Sequence, residues 1–471
     1  MNYLGINALN HEASVSVVRS DGEILFATMT ERYSKKKNDT LLDLGLMKFI
    51  VEKYNPQKLF WYENPTTSNL RKTITGESDR ENPKEYLKQF TDLDPIYTNH
   101  HLSHAAAGFA TSKFNEACIL VVDGVGELLS TSIWKATYDG ECKYKLLKRY
   151  NYPNSLGLFY SYFTHKTGFK PNEEEYIMMG LSSYGSDKLV SKMKDQFIDT
   201  EKYALKEYLH KGDMDCFIGE SNEDIATAAQ ICFEESLVSL LKYCGEVSDN
   251  LVYVGGCALN CVANRLLPKN TWIFPNPGDG GLSLGCIAAA TKMKLNWKTI
   301  FLGEDVGGDY PIDNALWYLL QDGIVGVCNG RAEFGPRALG NRSILADPRS
   351  MFMKGRVNQI KKRQQFRPFA GVIKEENFRK YFDTHISKSP YMQYALKLNT
   401  MDYPAISHVD GTCRVQTVGK ESKLYSLLDQ WEENTGCPFL LNTSLNIKGM
   451  PMVNDWKDAI KFEKLYNVKV V

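Results

Sequence analysis

The sequence predicts an α/β protein of two domains, the first built on a duplicated strand-rich unit. Three observations carry that expectation. At 471 residues the chain exceeds what one ordinary hydrophobic core organises. Apolar alternation broken by Asp-Gly turns marks strands in two separate stretches. A Gly- and Asp-rich segment, 303–311, then interrupts the pattern as a linker would. With 43% apolar, 24% charged and 12% aromatic residues, the composition is globular rather than disordered or collagenous.

The elements follow in order. Residues 3–7, 13–19 and 24–30 alternate as strands, the last two joined at Asp21-Gly22. Residues 41–54 have helical apolar spacing and 58–62 form a short strand, so the order is βββαβ. From residue 117 the pattern recurs, with strands at 118–123, 130–138 and 142–150 and a turn at Asp139-Gly140. Two such units suggest a duplicated fold of the actin, sugar-kinase and Hsp70 (ASKHA) type, which makes a cleft. Residues 222–246 read as a buried helix, and 250–254 as a strand running through Gly255-Gly256 toward a helix. The predicted domains are 1–308 and 309–471, the second starting near Ile312.

Lys plus Arg and Asp plus Glu are each 56, so no global field draws nucleic acid or an anionic membrane. Eleven cysteines without a CxxC pair, and a start lacking basic and apolar signal regions, predict a reducing cytoplasm. No apolar run approaches the ~20 residues that cross a bilayer, so no membrane partner is expected.

Three of eight histidines fall in Asn99-His100-His101-Leu102-Ser103-His104, ahead of an Ala-rich stretch. On a helix, His100 and His104 face the same way, as two ligands of one metal ion would, and His101 points elsewhere. A capping or packed-core role is the rival reading for an isolated HxxxH. Asp123 and Asp279 each stand at a strand end beside glycine, where a simple turn would also place them. Two histidines with one or two carboxylates suit iron(II), manganese or zinc. The loops 255–260 and 278–285 are small-residue segments whose N–H groups could approach phosphate. In 330–343 three arginines stand among glycines, and 361–369 adds Lys361, Lys362, Arg363 and Arg367 around Phe366 and Phe369. Arginine suits carboxylate or phosphate, and a solvated basic face is the alternative.

Taken together these motifs resemble the NodU/CmcH family of O-carbamoyltransferases. The resemblance rests on Gly5-Ile6, His11-Glu12-Ala13-Ser14, HHLSHAA from His100, VVDGVGE from Val121, GGCALN from Gly255 and NPGDGG from Asn276. GRAEFGPRALGNRS from Gly330, FRPFA from Phe366, HVDGT from His408, RVQT from Arg414 and NTSLN from Asn442 complete the order. It implies a TsaD-like (ASKHA-fold) N-terminal domain and an α/β YrdC-like C-terminal domain. The latter would form carbamoyladenylate from carbamoyl phosphate and ATP, and the former would pass the carbamoyl group to an acceptor hydroxyl, releasing AMP.

The resemblance also implies roles. His100, His104, Asp123 and Asp279 would hold a divalent metal, iron(II) favoured over manganese or zinc. His11 would lie near the acceptor as base or positioning group, and Gly255, Gly256 and Asn260 along the nucleotide. Lys361, Arg363, Arg367 and Arg414 would clamp carbamoyl phosphate and ATP, and Arg331, Glu333 and Arg337 would join that site. Asn442 and Ser444 would contact nucleotide phosphates, with Mg²⁺ accompanying ATP.

The chain departs from the family at Ile177, where a lysine is usual, at Gln364, where glutamate is common, and at His11-Glu12, usually His-Asp. The acceptor is open: a sugar or natural-product alcohol, or DNA only as a hydroxymethylpyrimidine substrate. A homodimer is left open too. Rival readings are an ASKHA-type phosphotransferase and a non-catalytic nucleotide or metabolite sensor.

Overall fold

The computed structural model describes residues 1–207, 209 and 216–471. It divides into two compact units: Met1–Ser34 with Asn38–Thr299, and Lys35–Lys37 with Ile300–Val471.

In the first unit β1 (Asn2–Asn7), β2 (Ser14–Arg19), β3 (Ile24–Met29), β4 (Lys58–Trp61) and β5 (Pro95–Tyr97) form a sheet of order β3-β2-β1-β4-β5. Strands β6 (Glu116–Gly126), β7 (Leu129–Asp139) and β8 (Glu141–Asn151) precede a small ribbon, β9 (Ile198–Asp199) with β10 (Ala204–Leu205). With β11 (Leu251–Val254) and β12 (Thr271–Ile273) they give a second sheet, β12-β11-β6-β7-β8. Each sheet runs two antiparallel strands outward from its first strand and two parallel strands from that strand's other side. The repeat expected from the strand pattern is therefore present as one topology used twice. Its three-residue strands β5 and β12 are too short to leave an alternation in the sequence.

Two helices, one packed on each sheet, meet at backbone distance. His100–Thr111 buries every residue but Leu102, and Leu282–Thr291 crosses it at Gly285, where a Cβ would fall 2.0 Å from Ser103 O. At the C-terminus of the first, Lys294 Nζ donates to the carbonyls of Phe109 (2.7 Å), Ser112 (3.1 Å) and Phe114 (2.7 Å). The expected buried helix is Asn222–Val247, capped by Ser221.

In the second unit β13 (Phe301–Asp305) pairs antiparallel with β15 (Arg331–Glu333). Strands β14 (Ile324–Cys328), β16 (Arg342–Ala346), β17 (Ala370–Lys374), β18 (Tyr394–Lys397), β19 (Thr412–Val418) and β20 (Phe439–Ser444) form a mixed sheet, β14-β16-β20-β17-β19-β18. The segment 303–311, expected as a linker, thus begins inside a paired strand, and the second unit starts before residue 309. Polar strands such as Gly303-Glu304-Asp305 carry no apolar alternation by which to read them.

Candidate active site

The first turn of the His100–Thr111 helix places His100 and His104 one above the other, ring centroids 4.9 Å apart. Asp123 reaches them from β6, and Asp279 from the turn that starts the Asp279–Gly281 segment. His100 Nε2 lies 3.4 Å from Asp123 Oδ2 and 3.5 Å from Asp279 Oδ1, and His104 Nε2 lies 3.9 and 3.4 Å from the same atoms. One donor atom from each of the four lies within 4.8 Å of the others. None of these contacts has hydrogen-bond geometry, so both Nε2 atoms are buried without a partner.

A divalent ion fits that arrangement. Ligands at 2.0–2.2 Å from one ion stand roughly 3.0–3.6 Å apart around it, and two carboxylates balance its charge. Burial works against an imidazolium at His100, yet Asp279 and Asp123 outweigh it and hold the ring well above its ordinary value. Burial and Asp279 push Asp123 up, but His100 and His104 overcome them and hold it at about 2. Asp279 resists its own burial through His100 and His104 and stays well below the carboxylate range. The pull these carboxylates exert on an imidazole is the pull they would exert on a cation.

His101 leaves the cluster, as expected, its Nδ1 2.7 Å from Ser132 Oγ. The loop of His11 is tied to the Asp279 turn: Asn7 Nδ2 donates to Asp279 O (3.0 Å) and Glu12 O (2.6 Å), and Gly280 N–H to Glu12 Oε1 (3.2 Å). His11 Nε2 is 3.0 Å from the Asn172 carbonyl. A carbonyl only accepts, so Nε2 carries the proton, and in the neutral ring Nδ1 is the basic nitrogen.

Other expectations for this unit change. The segment after Gly255-Gly256 is not a helix but two short 3₁₀ turns, Gly256–Leu259 and Ala263–Leu266. Gly256 N–H donates to Asp123 Oδ1 (3.0 Å), so the loop braces that carboxylate. Gly255 holds φ 94°, and a Cβ there would lie 2.2 Å from Val122 O. Asn260 is spent internally: Nδ2 donates to Gln230 Oε1 (3.0 Å), and Oδ1 accepts from Ala263 N–H (3.0 Å). Ile177 is fully buried, so its departure from lysine is a core position.

In the second unit Ala370 is in register with both Arg414 and Asn442. Side chains in register, and every second residue along a strand, share a sheet face. Arg414, Gln416, Asn442 and Ser444 therefore share one, and Asn442 Nδ2 donates to Gln416 Oε1 (2.8 Å). Lys361, at the end of the Met351–Ile360 helix, donates to Ser444 O (2.5 Å), Ser444 Oγ (3.1 Å), Asn446 O (3.0 Å) and Asn446 Oδ1 (2.8 Å). Burial, then Arg363, Arg367 and Arg414, push Lys361 well below its ordinary value. Arg363 stacks on Phe369 at 3.8 Å and donates to Asn358 Oδ1 (2.6 Å). Arg414 Nε, Asn442 Oδ1 and Gln364 Oε1 are buried without partners. Such a gathering of cations and unpaired polar atoms suits a polyanion.

The arginines of 330–343 do not all join it. Arg331 donates to carbonyls of Leu302 and Gly303. Arg342, fully buried, donates to the carbonyls of Asn329, Gly330, Asn341, Glu304 and Asn454. Glu333 Oε1 accepts N–H groups of Leu339, Asn341 and Arg342 at 2.8–3.2 Å and so shapes the loop. Arg337 is half-buried on the same loop. Sequence reasoning missed Glu63, whose Oε2 lies 3.9 Å from His100 Nδ1, and Gln416. No motif marks Glu63; Gln416 was visible only as part of RVQT.

Each unit thus gathers buried polar chemistry at the ends of its central strands, the equipment of an enzyme that activates and moves a chemical group. Residues 48–290 match the family described as Carbamoyltransferase N-terminus, and 317–471 that described as Carbamoyltransferase C-terminus. The chain belongs to the carbamoyltransferase family and is an enzyme that transfers a carbamoyl group. It is 32% identical to an uncharacterised protein of Synechocystis sp. over 97% of this chain and 93% of that one. It is 28% identical to Nodulation protein NolNO of Sinorhizobium fredii, over 96% of this chain and 77% of that one. It is 33% identical to a 3'-hydroxymethylcephem-O-carbamoyltransferase of Amycolatopsis lactamdurans, over 44% of each chain. Among the described residues no helix is long and apolar enough to cross a membrane.

Proposed function

We propose that the chain is an ATP-dependent O-carbamoyltransferase with two partial reactions. In the YrdC-like second unit, carbamoyl phosphate, ATP and one water give carbamoyladenylate, pyrophosphate and inorganic phosphate. In the actin-like, TsaD-like first unit the acceptor hydroxyl attacks the carbamoyl carbon and AMP leaves. The acceptor is an alcohol of a sugar or natural product, or a hydroxymethylated pyrimidine in DNA. ATP arrives with Mg²⁺.

The observation that carries the reading is the cationic cluster: Lys361 is buried against Ser444 and Asn446, and the guanidiniums of Arg363, Arg367 and Arg414 act on it. A phosphate or triphosphate among them relieves that repulsion and neutralises charge as the anhydride forms. Asn442 and Ser444 border the same face and orient the phosphates. In the first unit His100, His104, Asp123 and Asp279 hold a divalent metal, iron(II) favoured, which when bound polarises the carbamoyl carbonyl. His11 Nδ1 accepts the hydrogen bond of the attacking hydroxyl, and Asn172 fixes the ring's tautomer. Gly256 braces Asp123, and Gly255 and Gly256 lie along the nucleotide.

Incubation with ATP, carbamoyl phosphate and Mg²⁺ tests this: pyrophosphate and carbamoyladenylate are expected, both dependent on carbamoyl phosphate. ADP formed without carbamoyl phosphate would mean a phosphotransferase, and binding without turnover a sensor.

A further inference from the structure

The loop that follows Asp123 acts on His100 beyond supplying its neighbour. Gly126, at the end of β6, packs against the imidazole so closely that a Cβ there would fall 2.1 Å from His100 Cδ2. Glu127 comes next with a left-handed backbone, φ 55°, a conformation that non-glycine residues keep only where their surroundings enforce it. Its carboxylate is buried and turned onto the helix that carries His100. Oε1 accepts the His100 N–H at 3.2 Å and the Asn64 N–H at 2.7 Å, and Oε2 accepts from Asn99 Nδ2 at 3.5 Å. That helix has no side-chain cap from its own Asn99. Glu127 therefore caps it from another element, and places a negative charge where the helix dipole favours one. The Asn64 N–H that it also holds follows Glu63, which faces His100 Nδ1.

We infer that Glu127 is a positioning residue for His100: it fixes the first helical turn to the Asp123 loop, so that imidazole and carboxylate keep one separation. The inference rests on the reading of His100, His104, Asp123 and Asp279 as metal ligands. Removing the carboxylate frees the N–H of the residue that bears the ligand, and His100 sits on the turn of the helix with fewest other restraints. The sequence carries Asp123 and Glu127 in one motif, Val121 to Glu127, and only the fold shows the glutamate turned back onto the histidine helix.

Three variants separate positioning from stability. Glu127→Gly relieves the left-handed backbone while deleting the carboxylate, Glu127→Gln keeps an accepting oxygen, and Gly126→Ala pushes the ring away. Metal-stripped protein is titrated with Co²⁺ against a competing chelator while the visible absorption is recorded, and unfolding of the stripped protein is followed separately. Glu127→Gly is expected to bind Co²⁺ about 10–100-fold more weakly with an altered visible band, as outer contacts of metal ligands do when lost. Glu127→Gln is expected to restore affinity and band. A folded Glu127→Gly protein with wild-type affinity and band would overturn the inference. Should that variant not fold, Gly126→Ala decides: a comparable weakening supports the placement of His100 against the loop, and unchanged affinity refutes it. Wild-type protein that takes up no Co²⁺ would instead remove the metal reading itself, a result distinct from losses confined to the variants.

Discussion

Glu63 and Glu81 are two buried carboxyls behind His100, and their chemistry is that of a pair holding one proton. Glu63 resists burial through the nearby imidazole of His100, 3.9 Å away, and stays below its ordinary value. Burial, then Glu63, raises Glu81 from 4.5 to about 7, despite Lys72 at 2.5 Å. Between these two values the folded protein keeps a proton that the unfolded chain has released, so stability declines as pH rises through the window. At about 1.4 kcal/mol per pKa unit, the decline is on the order of 1–3 kcal/mol. Unfolding midpoints of metal-stripped protein across that window should therefore fall more steeply for wild type than for Glu81→Gln; parallel curves would refute the shared proton. His100 and His104 were legible at this scale because a spacing of four residues places two side chains on one helical face. Glu63 and Glu81 were not: each is brought to the site by tertiary packing, from a sequence position that carries no chemical signal of its own, and Glu127 was visible only as the end of the motif that holds Asp123.

The helix of His100 and His104 owes its position to a neighbour with no side chain. Gly285 lets Leu282–Thr291 approach until its Cα faces the Ser103 carbonyl. Its backbone is helical, so alanine there would gain up to ~1 kcal/mol of helix propensity if space allowed. Space does not allow it: the added carbon would meet a backbone oxygen at 2.0 Å, and the helices must separate. Gly285→Ala is expected to cost about 1–3 kcal/mol net, measured by denaturant unfolding, and to loosen Asp279, which starts the turn feeding the same helix. An unchanged midpoint would show that the crossing is slack. The long strands β6 to β8 advertised themselves by alternation, whereas nothing in the Ala-rich run after His104 announced the close helix contact. Where glycine-rich segments lack periodicity the sequence misleads: 255–260 reads as a turn entering a helix, yet Gly256 N–H is drawn to Asp123 and the chain closes into 3₁₀ turns instead.

At the scale of the molecule there are two units, each with its own sheet system and its own buried polar cluster, and the proposed function gives each one partial reaction. The order of motifs made that division legible, but not its border, because the strand at Phe301–Asp305 ends in Gly-Glu-Asp without apolar alternation and pairs with the short strand Arg331–Glu333. The division makes a demand on kinetics. Arg414 belongs to the face that would bind carbamoyl phosphate and ATP, where losing one preorganised donor costs about 100–1,000-fold in rate. Arg414→Ala is thus expected to abolish pyrophosphate release by at least that factor while metal content stays at wild-type level. His104 belongs to the other unit, and His104→Ala deletes a donor from the four-residue cluster rather than a contact behind it, so metal affinity should fall by at least about 100-fold. Carbamoyladenylate should still form in that variant, and, with no acceptor reaction to consume it, be released and hydrolysed. Pyrophosphate release and acceptor carbamoylation, followed side by side in both proteins, would then lose different halves of one pathway. Equal loss of both partial reactions in a folded His104→Ala protein would mean that a single site performs them, and that the cationic cluster serves some other anion.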